Sequence, residues 1–111
     1  MAKTAEKIEK KLKFNQTKQN FGFVKRGEEV KLIYTFINTG TQPLLIEDAK
    51  ATCSCTSVDY SREPISPGKT GSIEIFFDTS PAHGRQDRIV EVFCNDPKGT
   101  YKIRFKGVVL E

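Results

Sequence analysis

The chain has 111 residues and weighs 12.5 kDa, about the size of one domain, which excludes a multi-domain enzyme or a large cofactor-binding α/β fold. Hydrophobic residues make up 37% and charged residues 29%, a balance that specifies a globular chain rather than a disordered one. The formal net charge of +4 is concentrated at one end: residues 1–18 hold six lysines against Glu6 and Glu9, while residues 19–111 hold twelve basic and twelve acidic residues. A body that neutralises many phosphates should itself be basic, so nucleic acid is not an expected partner. No apolar run approaches the roughly 20 residues that cross a bilayer as a helix, and direct membrane insertion is not expected.

Residues 1–13 read as a lysine-rich flexible tail. Ala5, Ile8 and Leu12 fall at helical spacing, but the stripe is too short for a stable isolated helix. These residues also lack a signal peptide's apolar core, and the sequence leaves the compartment open on that ground. Asn15-Gln16-Thr17 fits the glycosylation acceptor pattern, which is common by chance.

From Phe14 the chain reads as strands. Phe21–Val24 forms the first. Glu29–Ile37 is the clearest, with Val30, Leu32, Tyr34 and Phe36 on one face and Lys31, Ile33, Thr35 and Ile37 on the other. Asn38–Pro43 is a turn, and Leu44–Ala51 the next strand. Pro64, Pro67 and Gly68 forbid a central strand between Ser61 and Lys69, and Pro67-Gly68 suits the centre of a type II turn. Gly71–Asp78 alternates through Ile73, Ile75 and Phe77. A strand from about Arg88 to Cys94 places Val90 and Val92 inward. Asp96-Pro97-Lys98-Gly99 fits a hairpin turn. In Thr100–Leu110, Tyr101, Ile103 and Phe105 alternate with Lys102, Arg104 and Lys106, and a bulge or bend at Gly107 is expected where Val108-Val109-Leu110 breaks the rhythm.

About seven short strands, regular turns and no persuasive helix predict an antiparallel immunoglobulin-like β-sandwich over residues 14–111, with a small barrel as the alternative. Leu32, Tyr34, Phe36, Ile73, Ile75, Val90, Val92, Ile103 and Phe105 are the expected core. The absence of tryptophan argues against an antibody-type domain.

Cys53-Ser54-Cys55 is the one constellation that could carry chemistry. In a regular strand its Cα atoms would lie about 6.5–7 Å apart, at the limit for a disulfide, although a turn at Ser54 could close the gap. Small buried cysteines with a packing role come first, then a disulfide between two of Cys53, Cys55 and Cys94, then a metal or redox site. Cys94 is phased with the inward Val90 and Val92. His83, the lone histidine, lies in a Pro/Gly loop and reads as exposed. Asp59, Asp78, Asp87 and Asp96 sit mostly at strand ends, where turn and cap bonds explain them without calcium. No cofactor, metal site or catalytic residue is expected, and the chain does not read as an enzyme.

Phe21-Gly22-Phe23-Val24, Phe36-Ile37-Asn38-Thr39-Gly40, Ala51-Thr52-Cys53-Ser54-Cys55-Thr56, Pro64–Gly68, Ile73–Asp78, Gly84, Cys94-Asn95-Asp96 and Gly107 stand in a recognisable order. Together they resemble the bacterial domain-of-unknown-function family 1573 over roughly residues 14–110. The resemblance implies an immunoglobulin-like domain of the Hydin and major-sperm-protein kind, commonly exported or lipid-anchored, with no catalytic activity. This chain has Ser54 where the family has glycine, and Cys94 where it has a small residue such as serine. The expectation is a non-catalytic binding or assembly module that contacts another protein or a neighbouring domain in the bacterial cell envelope (periplasm included), a cytoplasmic location being the other reading of the compartment. The alternative is a thiol-based redox or metal-handling domain centred on Cys53 and Cys55.

Overall fold

In the computed structural model, residues 12–95 and 100–111 are described. They form eight strands and no helix: β1 Leu12–Phe14, β2 Lys18–Lys25, β3 Glu29–Asn38, β4 Ile46–Ala51, β5 Thr56–Tyr60, β6 Thr70–Asp78, β7 Gly84–Cys94 and β8 Thr100–Leu110. Two four-stranded sheets result, ordered β1-β3-β6-β5 and β2-β8-β7-β4. Every pairing is antiparallel except β2 with β8. The sandwich is thus as expected in class, with eight strands rather than about seven.

Period-two patterning builds the core. Tyr34, Phe36, Ile73, Ile75, Val90, Val92, Ile103 and Phe105, inward on β3, β6, β7 and β8, are buried as expected. Leu32 is only half-buried. Strand β1 covers β3 only at Phe36–Asn38, so at Leu32 β3 is itself the sheet edge. Tyr34 crosses between the sheets: its hydroxyl donates to the Arg104 carbonyl on β8 at 2.6 Å and accepts from the backbone N–H of Gln19 on β2. Burial pushes its pKa up to about 12.

The start of the body differs from expectation. Leu12 and Lys13 belong to β1 rather than to a tail; Leu12 and Phe14 are buried, and the Phe14 ring packs edge-on against Phe36. The chain then crosses from one sheet to the other. Asn15 N–H donates to the Thr35 carbonyl in the first sheet, and the Thr17 carbonyl accepts from Arg104 N–H in the second. Ala5 and Ile8, the other members of the helical stripe, lie outside the described residues, as does the turn expected at Asp96–Gly99.

Other connections follow their local chemistry. Gly68 has φ +80°, and Lys69 N–H donates to the Ser66 carbonyl at 3.0 Å, as a type II turn at Pro67-Gly68 requires. Leu44 lies outside β4, which begins at Ile46, and forms an isolated bridge with Ile65. Asn38, almost fully buried, fastens this end: its Nδ2 donates to the carbonyls of Ile65 and Gln42, and its Oδ1 accepts from Gly40 N–H.

Strand β8 has no bulge at Gly107. Its ladder with β7 is continuous from Thr100 to Val109, and the alternation persists, with Gly107 and Val109 inward and Val108 and Leu110 outward. The irregularity lies on the facing strand, where Phe21 and Gly22 of β2 together oppose Gly107, and Gly22 has φ +79°. A Cβ at 107 would fall under 3.0 Å from three ring carbons of Phe21, so the glycine serves close approach rather than a bend.

Candidate functional site

The cysteines do not converge. After β4 the chain turns through Thr52–Cys55, and a disulfide joins Cys53 to Cys55 with their Cα atoms 5.2 Å apart. The turn supplies the approach that a strand would deny. Cys55 N–H points at Cys53 Sγ at 3.2 Å, Thr56 N–H donates to the Cys53 carbonyl, and Asp78 N–H donates to the Cys55 carbonyl. Ser54 takes the family's glycine position without strain, since no described non-glycine residue has positive φ. The packing role placed first for these two residues gives way to a half-buried disulfide.

Cys94 is buried and pairs in register with Ile46, at the opposite end of β4 from the disulfide. The six residues of β4 separate the two positions by roughly 17 Å at strand rise. Cys53, Cys55 and Cys94 therefore form no common thiol site. Among the described residues, no group of three or more His, Cys, Asp or Glu side chains could hold a metal ion.

His83 is exposed, as the loop reading had it, but its ring is engaged. Its Nδ1 lies 2.7 Å from Glu111 Oε2, and Arg26 Nη1 lies 3.2 Å from its Nε2. The hydrogen bond to His83, helped by the charges of His83 and Arg26, holds the Glu111 carboxyl below its ordinary range. Nothing in this cluster aims a nucleophile at a base. Asp78 and Asp59 behave as end groups, Asp78 accepting from Ser80 N–H, which lowers its pKa, and Asp59 from Tyr60 N–H; Asp87 instead lies inside β7 and pairs with Arg104. Asp96 lies outside the described residues.

Sequence reasoning missed a different surface. Phe23 on β2 is 74% exposed and Leu110 on β8 is 45% exposed. Phe23 is the register partner of Val108, and Lys25 that of Leu110, so Phe23, Val108 and Leu110 make one outward apolar run on the face of the second sheet. Beside it lies an open pocket of about 350 Å³, lined by Asn20, Phe23, Arg85, Asp87, Lys106 and Val108 among others. The signal was in the sequence: Val108-Val109-Leu110 departs from the polar-out rule because its outward positions are apolar.

The architecture is an immunoglobulin-like sandwich of the PapD-like kind. The chain is similar to an ASH/PapD-like domain of human CEP192, with a TM-score of 0.76 and 13% identity, the match covering 100% of this chain and 93% of that one. A protein of unknown function from Porphyromonas gingivalis W83 gives a TM-score of 0.75 and 20% identity, with 87% of this chain matched to 46% of that one. The VesB protease of Vibrio cholerae contains a similar unit, at a TM-score of 0.66 and 14% identity over 90% of this chain and 32% of that chain. These identities show a shared fold alone. No curated protein matches the sequence. The chain belongs to the protein family of unknown function DUF1573, which it matches over residues 12–109.

Proposed function

We propose that this domain is a non-catalytic binding module that presents the outer face of the β2-β8-β7-β4 sheet to another protein or to a neighbouring domain in a bacterial cell-envelope assembly. The observation that carries this reading is the outward run of Phe23, Val108 and Leu110. An aromatic ring left in water on a regular sheet forfeits about 2 kcal/mol of burial, which a partner recovers by covering it. Aromatic anchors beside a pocket are the usual centres of protein contacts. The fold's occurrence inside a longer protease chain accords with a module placed beside other domains.

A photo-crosslinking residue at position 23, tested in the native host, checks the reading. One discrete adduct is expected from position 23 and none from Ile33, on the opposite sheet. Purified protein should compete for formation of that adduct, and Phe23→Ala protein should compete poorly. No adduct at 23, or equal competition by Phe23→Ala, refutes the assignment of this face.

A further inference from the structure

Residues 19–111 are neutral in sum, but the two sheets differ in charge: with Lys18 included, β2, β4, β7 and β8 carry eight basic residues against four acids, Glu47, Asp48, Asp87 and Glu91. Strands β2 and β8 carry Lys18, Lys25, Lys102, Arg104 and Lys106 and no carboxylate. Register places these five on one face: Lys18 opposite Arg104, and Lys25 beside Leu110. Strand β7 adds Arg85, the register partner of Val108. Of the acids on that strand's outer face, Asp87 is paired with Arg104 at 3.1 Å and Glu91 lies opposite Lys102. In the other sheet, β1, β3, β5 and β6 carry Glu29, Asp59, Glu74 and Asp78 against Lys13 and Lys31. The apolar run of Phe23, Val108 and Leu110 thus sits inside a basic field, bordered by Lys25, Arg85 and Lys106.

We propose that this face binds an acidic protein segment that carries an apolar side chain, the side chain entering the pocket between Phe23, Arg85, Lys106 and Val108 and the carboxylates meeting Arg85, Lys106 and Lys25. This rests on the binding-module reading above and adds the partner's chemistry. Charge complementarity selects an anion. Within the anions, the concave pocket selects a protein. A bilayer surface is too flat to fill it, whereas one side chain fits an open depression lined by Phe23, Val108, Arg85 and Lys106.

The test uses the purified full chain and peptides of about twelve residues. One is glutamate-rich with a central phenylalanine, a second has glutamine for glutamate, and a third has lysine. A short DNA duplex and phosphatidylglycerol vesicles are the other arms. The acidic peptide should bind about tenfold more tightly than the glutamine peptide and weaken as salt rises. Amide shifts should centre on Asn20, Phe23, Arg85, Lys106 and Val108. Arg85→Gln with Lys106→Gln should cost about tenfold while leaving the thermal midpoint nearly unchanged. Equal binding of the acidic and glutamine peptides overturns the acidic specificity and leaves the binding-module reading standing. Binding of the duplex or the vesicles without the acidic peptide overturns the protein assignment. If no peptide binds while position 23 still gives its adduct, this inference falls alone; if the adduct is also lost, both fall.

Discussion

Gly107→Ala isolates one packing constraint. The new methyl would overlap the Phe21 ring, closer than the 3.0 Å below which neighbours must move. That ring cannot swing freely. It lies 5.9 Å from the Phe77 centroid and 6.3 Å from the Phe105 centroid, and those two rings are 5.5 Å apart. Overpacking of this kind costs about 1–3 kcal/mol. Displacing Phe21 also weakens two aromatic pairs, each worth about 0.5–1.5 kcal/mol beyond area burial, and that loss is part of the same cost. Replacing glycine by alanine in a strand returns about 0.5–1 kcal/mol of chain entropy. The net loss lies between about 0 and 2.5 kcal/mol, centred on about 1, and at about 4–8 °C per kcal/mol for a domain near this size the midpoint should fall by about 4–8 °C at that centre. The assay is thermal unfolding by circular dichroism, with urea unfolding for the free energy. Phe21→Ala completes the cycle. In that background the methyl meets no ring, and Gly107→Ala should become neutral or stabilising. A Gly107→Ala protein at least as stable as the parent, or two changes that add within about 0.5 kcal/mol, would refute the close-approach argument.

Two further outcomes are expected. Leu12→Ala should cost about 2–3 kcal/mol in urea unfolding because Leu12 is 6% exposed against the core, whereas Lys13→Ala on the exposed side of β1 should stay within about 0.5 kcal/mol; equal effects would show that β1 does not dock. Tyr34 keeps its proton up to about 12 in the fold, while the unfolded chain loses it near 10, so its contribution is full below pH 10 and is lost as pH rises from 10 to 12, by about 2–3 kcal/mol. Urea midpoints from pH 8 to about 11.5 should show that decline in the parent, and its persistence in Tyr34→Phe would assign it elsewhere.

Strands β3, β6 and β8 were legible because each alternates over at least nine residues, long enough for period two to stand out. Strand β5 was not. In Thr56–Tyr60 only Val58 and Tyr60 are apolar, and both are merely half-buried at a sheet edge, so no pattern marks the segment. Strand β1 failed for another reason. At three residues it is shorter than a period can be counted over, and Leu12 completed a false helical stripe with Ala5 and Ile8. Cys53-Ser54-Cys55 was ambiguous because the same spacing serves a strand or a turn, and only the placement of β4 and β5 in different sheets makes it a turn.

The surface was hidden for a deeper reason. Summed charge is a scalar, and neither the neutral total of residues 19–111 nor the lysine excess of residues 1–18 records which strands become neighbours. Lys18 and Lys25 lie some eighty residues from Arg104 and Lys106, and only the parallel pairing of β2 with β8 puts them on one face. That same pairing turns the apparent fault at Gly107 into two separate facts. The inward position is empty to admit Phe21, and the outward positions on either side of Phe23's partner are apolar and basic. A rule of local patterning fails where the chain meets a demand other than its own folding. Here the demand on Gly107 is internal packing, while the outward run of Phe23 and Val108 packs into no core among the described residues. The first is met inside the sandwich; the second is the outward apolar run on which the proposed partner contact rests.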